Sequence, residues 1–220
     1  MKEKLIFGTD EAGRGPVVGP LVIAGVLASE KEIEKLKEIE VKDSKLLTHK
    51  KREKLAAEIK KIVKDYKIIV IEPKEIDEAV DGVNSNLNRL EAVKTAQMIN
   101  ALKPDEVILD CPSPNTVSYV DYLKVFLKNK DVKIIAEHKA DVKYPIVSAA
   151  SILAKVVREE EVEKIEKKIG KCIGTGYSSN PICQKFTKEN WDKHPEIFRK
   201  SWSTWQNHKN NHSQKKLGEF

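Results

Sequence analysis

The chain has 220 residues, 34% of them charged, and a formal net charge of +6; that length supports one substantial core, or a core with a small appendage. Its longest apolar run, Leu21 to Ala28, is eight residues, too short to span a bilayer. The N-terminus carries no secretory leader before its first strand-like segment, so a soluble, cytoplasmic protein without a membrane partner is expected.

In chain order, β-branched and apolar runs predict strands over Leu5–Asp10 and Val17–Ala28. A helix is predicted over Thr48–Lys64, with Leu55, Ile59, Ile62 and Val63 on one face. A strand over Tyr66–Glu72 precedes a second helix, Leu87–Leu102, and strands follow over Glu106–Asp110 and Val132–Glu137. Pro145 suits a first helical position, and the apolar stripe from Ile146 continues toward Ile169. Only a glycine-rich turn separates the first two strands, which implies an antiparallel hairpin. Helices between the later strands imply parallel crossovers. The expected fold is α/β, a mixed five-stranded sheet with helices on both faces. Glycines at 170, 174 and 176 break the helical period, dividing a main domain, 1–170, from a small C-terminal helical region, 171–220, whose polar end from Gln206 is expected to fray.

Charge is distributed unevenly. Residues 171–220 hold nine Lys/Arg against four Asp/Glu, a balance of +5, together with all three Trp. A basic segment interleaved with aromatics suits a polyanion such as nucleic acid; a solvated basic helix pair packed through its Trp residues accounts for it equally well. On the first reading Arg199, Lys200, Lys209, Lys215 and Lys216 contact phosphates. Cys111, Cys172 and Cys183 form no CxxC pair, so a zinc ribbon or disulfide framework is unsupported, although a Cys172–Cys183 bridge stays open for a hyperthermophile. The bias to Lys and Glu, with only four Gln, suits ion-pair networks at high temperature and a thermophilic source.

Four acids fall where such a fold converges. Asp10 and Glu11 close the first strand, Asp110 closes the fourth, and Asp141 lies between the fifth strand and the long helix. Sites in open α/β sheets form beyond the strand ends. Carboxylates gathered there raise one another's pKa unless a cation holds them ionised, and all-oxygen ligation points to Mg²⁺ or Mn²⁺ rather than zinc. Singly, Asp110 is also explained as a turn residue and Asp141 as a helix cap. Side chains of successive strand residues face opposite sides, so Asp10 and Glu11 share one site only if the strand ends or bulges there; otherwise Glu11 contributes through its backbone carbonyl. Gly13-Arg14-Gly15 is no dinucleotide fingerprint, because a β-rich run rather than a helix follows it and two carboxylates precede it. A tight turn that lets a nucleic-acid backbone approach fits better.

Taken together, Asp10-Glu11-Ala12-Gly13-Arg14-Gly15, Asp43-Ser44-Lys45, Asp110, the block from Lys139-Ala140-Asp141 to Ile152, and Gly174-Thr175-Gly176-Tyr177 resemble ribonuclease HII, most of all its archaeal form, over almost the whole chain. The resemblance implies a ribonuclease H-like fold and an endonuclease that acts on RNA–DNA hybrids and on ribonucleotides embedded in duplex DNA. Two divalent ions, Mg²⁺ or Mn²⁺, would be held by Asp10, Glu11, Asp110 and Asp141, and the products would carry 5′-phosphate and 3′-hydroxyl ends. Gly13, Arg14 and Gly15 would contact the ribonucleotide, Tyr177 would pack near its sugar, and Ser44 and Lys45 would lie along the phosphate backbone. The family commonly has Tyr-Pro-Ser-Asp-Pro where this chain has Tyr177-Ser178-Ser179-Asn180-Pro181, which puts the loop's detailed contacts in question. A monomer is expected, with a replication-clamp partner left open. The rivals are a non-catalytic duplex-binding module and another ribonuclease H-like enzyme, such as a resolvase or DNA exonuclease.

Overall fold

A computed structural model describes residues 3–39, 41 and 47–217, excepting the side chains from 212 onward. Five strands, β1 (Leu5–Ala12), β2 (Leu21–Ser29), β3 (Asp65–Ile71), β4 (Glu106–Asp110) and β5 (Lys133–Glu137), form one sheet in the order β3-β2-β1-β4-β5. β1 and β2 pair antiparallel from Leu5↔Ser29 to Ala12↔Val22. β1 runs parallel to β4, and β4 to β5. The hairpin and the parallel crossovers follow the connection lengths the sequence allows.

Helices α1 (Glu30–Glu38), α2 (His49–Ile62), α3 (Pro73–Asp81), α4 (Leu87–Leu102), α5 (Thr116–Val125), α6 (Ala140–Lys143), α7 (Pro145–Ile169), α8 (Pro181–Asn190) and α9 (Ser203–Leu217) fill the connections. Four of them, α1, α3, α5 and the one-turn α6, escape the apolar-stripe reading. Ser29 and Glu32 form a reciprocal capping box at the start of α1. Pro73 opens α3, and the Asn115 side chain caps α5 through the Ser118 amide. Val17 and Val18 do not extend β2 as expected. Pro16 and Pro20 flank them, and they make only an isolated bridge, Val18↔Phe198. The segment from Gln206, expected to fray, is helical to Leu217.

The chain forms two compact units. The first comprises residues 1–12, 22–70 and 87–157; the second comprises 13–21, 71–86 and 158–220. The division expected at residue 170 therefore falls inside the second unit, which also draws in two short upstream segments. In the first unit, Ile6, Val22, Ala24, Val26 and Ile108 from one sheet face pack with Leu36, Leu55, Ile59, Ile146, Val147 and Leu153 from α1, α2 and α7. The opposite face turns Phe7 and Gly25 toward Met98 of α4, where a Cβ on Gly25 would lie 3.3 Å from the Met98 sulfur. The second unit has its own core, in which Val17, Val18, Ile173, Cys183, Phe186, Ile197, Phe198 and Trp205 are buried together. Cys111, Cys172 and Cys183 are free thiols, with Cys172 exposed and Cys183 buried, so the bridge left open by the sequence does not form. No described helix is long and apolar enough to cross a membrane.

Candidate active site

The parallel register of β1 and β4 reaches Thr9↔Leu109, which makes Asp10 and Asp110 the next residues on adjacent strands, facing one side of the sheet. Two residues before Asp10, Gly8 admits α7 to direct contact: a Cβ there would lie 2.8 Å from the Ile146 backbone. Beyond β5 the chain turns sharply at Lys139, which takes a left-handed conformation, φ +60°, and opens α6 with Asp141 in its first turn. The Asp110 carboxylate accepts from the Ala140 amide at 3.2 Å, tying the end of β4 to that turn. Asp10, Asp110 and Asp141 each offer a carboxylate oxygen within 4.8 Å of the others, with Asp10 and Asp141 buried. The three acids expected at the strand ends thus meet.

Glu11 does not join them. β1 stays in unbroken register with β2 through Ala12, without the end or bulge that would turn both side chains to one face. Burial raises the pKa values of Cys111 and Tyr119, and the Glu11 charge adds to both shifts.

α7 supplies parts of the site that the sequence reading missed. Ser148, Ser151 and Lys155 share one face of this helix at helical spacing. Ser148 Oγ donates to the Asp141 carbonyl, Ser151 hydrogen-bonds the Asp10 carboxylate, and Lys155 Nζ donates to Ser151 Oγ at 2.8 Å. Serines at 148 and 151, buried within an otherwise apolar stripe, were the available signal. Burial pushes the Asp10 carboxyl up to about 6, with the Asp110 charge adding to the rise and the Ser151 hydrogen bond and Lys155 charge opposing it. Buried carboxylates forced together in this way suit a divalent cation, whose charge removes the repulsion; an all-oxygen donor set selects a hard ion.

The loop after β1 belongs to the second unit. Gly13, with φ +86°, leaves no room for a side chain: a Cβ would lie 2.8 Å from the Pro20 carbonyl oxygen and 2.9 Å from Arg158 Nε. A Cβ on the exposed Gly15 would lie 3.3 Å from the Tyr177 ring, so those two predicted contact residues are neighbours. Tyr177 is 41% exposed, and the Arg158 guanidinium lies 5.6 Å from its ring centroid. Ser44 and Lys45 lie outside the described residues, as do the side chains of Lys215 and Lys216. Lys200 and Lys209 are exposed. Arg199 corrects the phosphate-contact expectation. It is fully buried, and its guanidinium donates to the carbonyls of Gly13, Arg14 and Gly19. A planar five-donor fork suits a cluster of inward carbonyls, and charge counting along the sequence cannot distinguish that use from a phosphate contact.

A mixed sheet with carboxylates converging beyond its central parallel strands is the architecture of the ribonuclease H-like nucleases. The chain belongs to the ribonuclease HII family, whose model matches residues 7–205. It is 48% identical over 204 residues to ribonuclease HII of Pyrococcus furiosus, covering 90% of this chain and 88% of that one. The crystal structure of ribonuclease H2 from Pyrococcus horikoshii superposes with a TM-score of 0.85 at 42% identity, over 94% of this chain and 98% of that one. Ribonuclease HII of Archaeoglobus fulgidus, solved in complex with PCNA, gives 0.81 at 37% identity, over 90% and 95%.

Proposed function

We propose that the protein hydrolyses the RNA strand of RNA–DNA hybrids, and cuts beside ribonucleotides embedded in duplex DNA, with Asp10, Asp110 and Asp141 as the metal-binding carboxylates. The convergence of these three acids within 4.8 Å carries this reading, because a binding module gains nothing from buried negative charge beside a polyanion. Divalent ions bound there, two of Mg²⁺ or Mn²⁺, supply an activated water and charge stabilisation at the leaving 3′-oxygen. Ser151 and Lys155 orient the Asp10 carboxylate and favour its ionised form. The Asp110–Ala140 hydrogen bond holds the turn that carries Asp141. Glu11, on the opposite face, serves the same site through its backbone or an intervening water. Gly13, Arg14 and Gly15 meet the ribonucleotide, with Tyr177 against its sugar as a test for the 2′-hydroxyl. Ser44 and Lys45 extend the phosphate contacts, and the exposed Lys200 and Lys209 add salt-dependent affinity. The enzyme acts as a cytoplasmic monomer, and the PCNA complex of the Archaeoglobus relative supports a sliding clamp as its protein partner.

Incubation with an RNA–DNA hybrid and with the same sequence as all-DNA duplex, in Mg²⁺, Mn²⁺ or EDTA, tests this function. The hybrid is cleaved with either metal and spared in EDTA, and the all-DNA duplex is spared throughout. Cleavage of all-DNA duplex would favour a resolvase or exonuclease, and hybrid cleavage that persists in EDTA would remove the metal site from the mechanism.

A further inference from the structure

Arg199 lies in the turn between the 3-10 segment Pro195–Ile197 and α9, nearly two hundred residues from the loop it grips. Its Nε donates to the Gly19 carbonyl at 3.0 Å, one terminal nitrogen to the Arg14 carbonyl at 2.8 Å and the other to the Gly13 carbonyl at 2.5 Å. All three guanidinium nitrogens are thus engaged by the segment 13–19. Three residues on, Trp202 Nε1 donates to the Gly15 carbonyl at 3.1 Å, and the Arg199 guanidinium lies 5.0 Å from the Trp202 ring centroid. The carbonyls of Gly13, Arg14 and Gly15 are therefore all drawn toward one arginine–tryptophan pair.

A trans peptide is planar, so its C=O and the following N–H point in opposite directions. Carbonyls of Gly13 and Arg14 turned toward Arg199 aim the amides of Arg14 and Gly15 away from it, and Gly15 is exposed. Proline at 16 removes the donor that would follow the Gly15 carbonyl. The loop is also tied to residues 175–177. Arg158 donates to the Thr175 carbonyl at 2.7 Å and lies 5.6 Å from the Tyr177 ring centroid, while the Val17 amide donates to the Gly176 carbonyl at 3.0 Å.

We propose that Arg199, seconded by Trp202, is a positioning residue for ribonucleotide recognition: it fixes the outward aim of the Arg14 and Gly15 amides by holding the carbonyls of residues 13–15 and 19 from behind. Arg199 touches no substrate itself. The proposal rests on the reading of Gly13-Arg14-Gly15 as the ribonucleotide contact. A consequence is that the basic, aromatic C-terminal segment governs turnover as well as affinity.

Arg199→Lys tests it, because one ammonium keeps the charge but cannot span three carbonyls in a fixed fork. On a duplex with a single ribonucleotide, kcat falls roughly 10- to 100-fold, as misplacement of a positioning group does, while KM changes less than about 3-fold. Mn²⁺ binding by titration calorimetry stays at the wild-type affinity, since the carboxylates are untouched. Trp202→Phe keeps the ring and deletes one hydrogen bond to the loop, and gives a smaller fall in kcat in the same direction; it decides the matter if Arg199→Lys does not fold. Wild-type kcat in whichever variant folds, or a loss that follows Mn²⁺ affinity, overturns the proposal. Were the wild type itself inert on this substrate, the functional reading would fail first; wild-type cleavage with unaltered variants overturns the positioning role alone.

Discussion

Replacing Asp10 by Asn separates what the carboxylate costs the fold from what it gives the reaction. Burial and the neighbouring Asp110 raise the Asp10 carboxyl to about 6 from its ordinary 3.8. Between those two values the folded, metal-free protein holds a proton that the unfolded chain has lost, so stability falls as pH rises through this window and the whole penalty is present above pH 6. Roughly two pKa units at 1.36 kcal/mol each give a penalty on the order of 3 kcal/mol at neutral pH, and about half of that at pH 5. Asparagine retains the oxygen that accepts from the Glu11 amide at 2.7 Å and carries no charge. In EDTA at pH 7.5, Asp10→Asn therefore raises Tm by several degrees, at about 2–4 °C per kcal/mol for a chain of this size, and the gain shrinks as pH falls to 5. Divalent ions reverse the ranking by stabilising the wild type more than the variant. Thermal denaturation at both pH values, with and without Mn²⁺, reads all of this, and cleavage assays on the same samples show activity lost in the variant. An Asp10→Asn protein less stable than wild type in EDTA at pH 7.5 would refute the argument that burying the ionised Asp10 carboxylate beside Asp110 costs the fold stability.

Other perturbations have equally definite outcomes. Gly8→Ala forces a Cβ to within 2.8 Å of the Ile146 backbone, and overpacking of this kind costs about 1–3 kcal/mol; urea denaturation should show the loss, with activity falling as α7 moves off β1. Trp205→Ala empties a buried place in the C-terminal core and costs about 3–5 kcal/mol, so truncation after residue 200 should register as a large drop in Tm as well as a raised KM. Lys200→Ala removes an exposed charge, and the salt dependence of duplex binding should become shallower by about one unit of slope with kcat unchanged; an unaltered slope would remove Lys200 from the phosphate contacts.

The sheet was legible in the sequence because its strands are β-branched runs separated by segments of characteristic length. The carboxylate cluster was legible because Asp10 and Asp110 close two of those runs and Asp141 follows a third. Glu11 shows the limit: its outcome depends on whether β1 ends at residue 10 or continues, and the pairing with β2 that carries β1 to Ala12 is a tertiary fact. α1 and α3 were hidden because their apolar residues are few, although Ser29 and Glu32 spell a capping box and Pro73 a helix start. Arg199 was misassigned because a basic residue in a basic segment looks the same whether it faces phosphate or grips carbonyls. Trp202, in the same short stretch and only half-buried, belongs to the same clamp. The Ser148–Ser151–Lys155 face of α7 could have been found as polar residues at helical spacing within an apolar stripe.

The most direct test of the central claim is product-end mapping on a duplex that carries one ribonucleotide, with wild type and Asp110→Asn side by side in Mg²⁺. A single incision at the ribonucleotide by wild type only, leaving 5′-phosphate and 3′-hydroxyl ends, is the predicted result. A 2′,3′-cyclic phosphate end would mean that the ribose hydroxyl rather than water attacks the phosphorus, and undiminished cutting by Asp110→Asn would mean that the carboxylate cluster is not the catalytic site; either result would contradict the account.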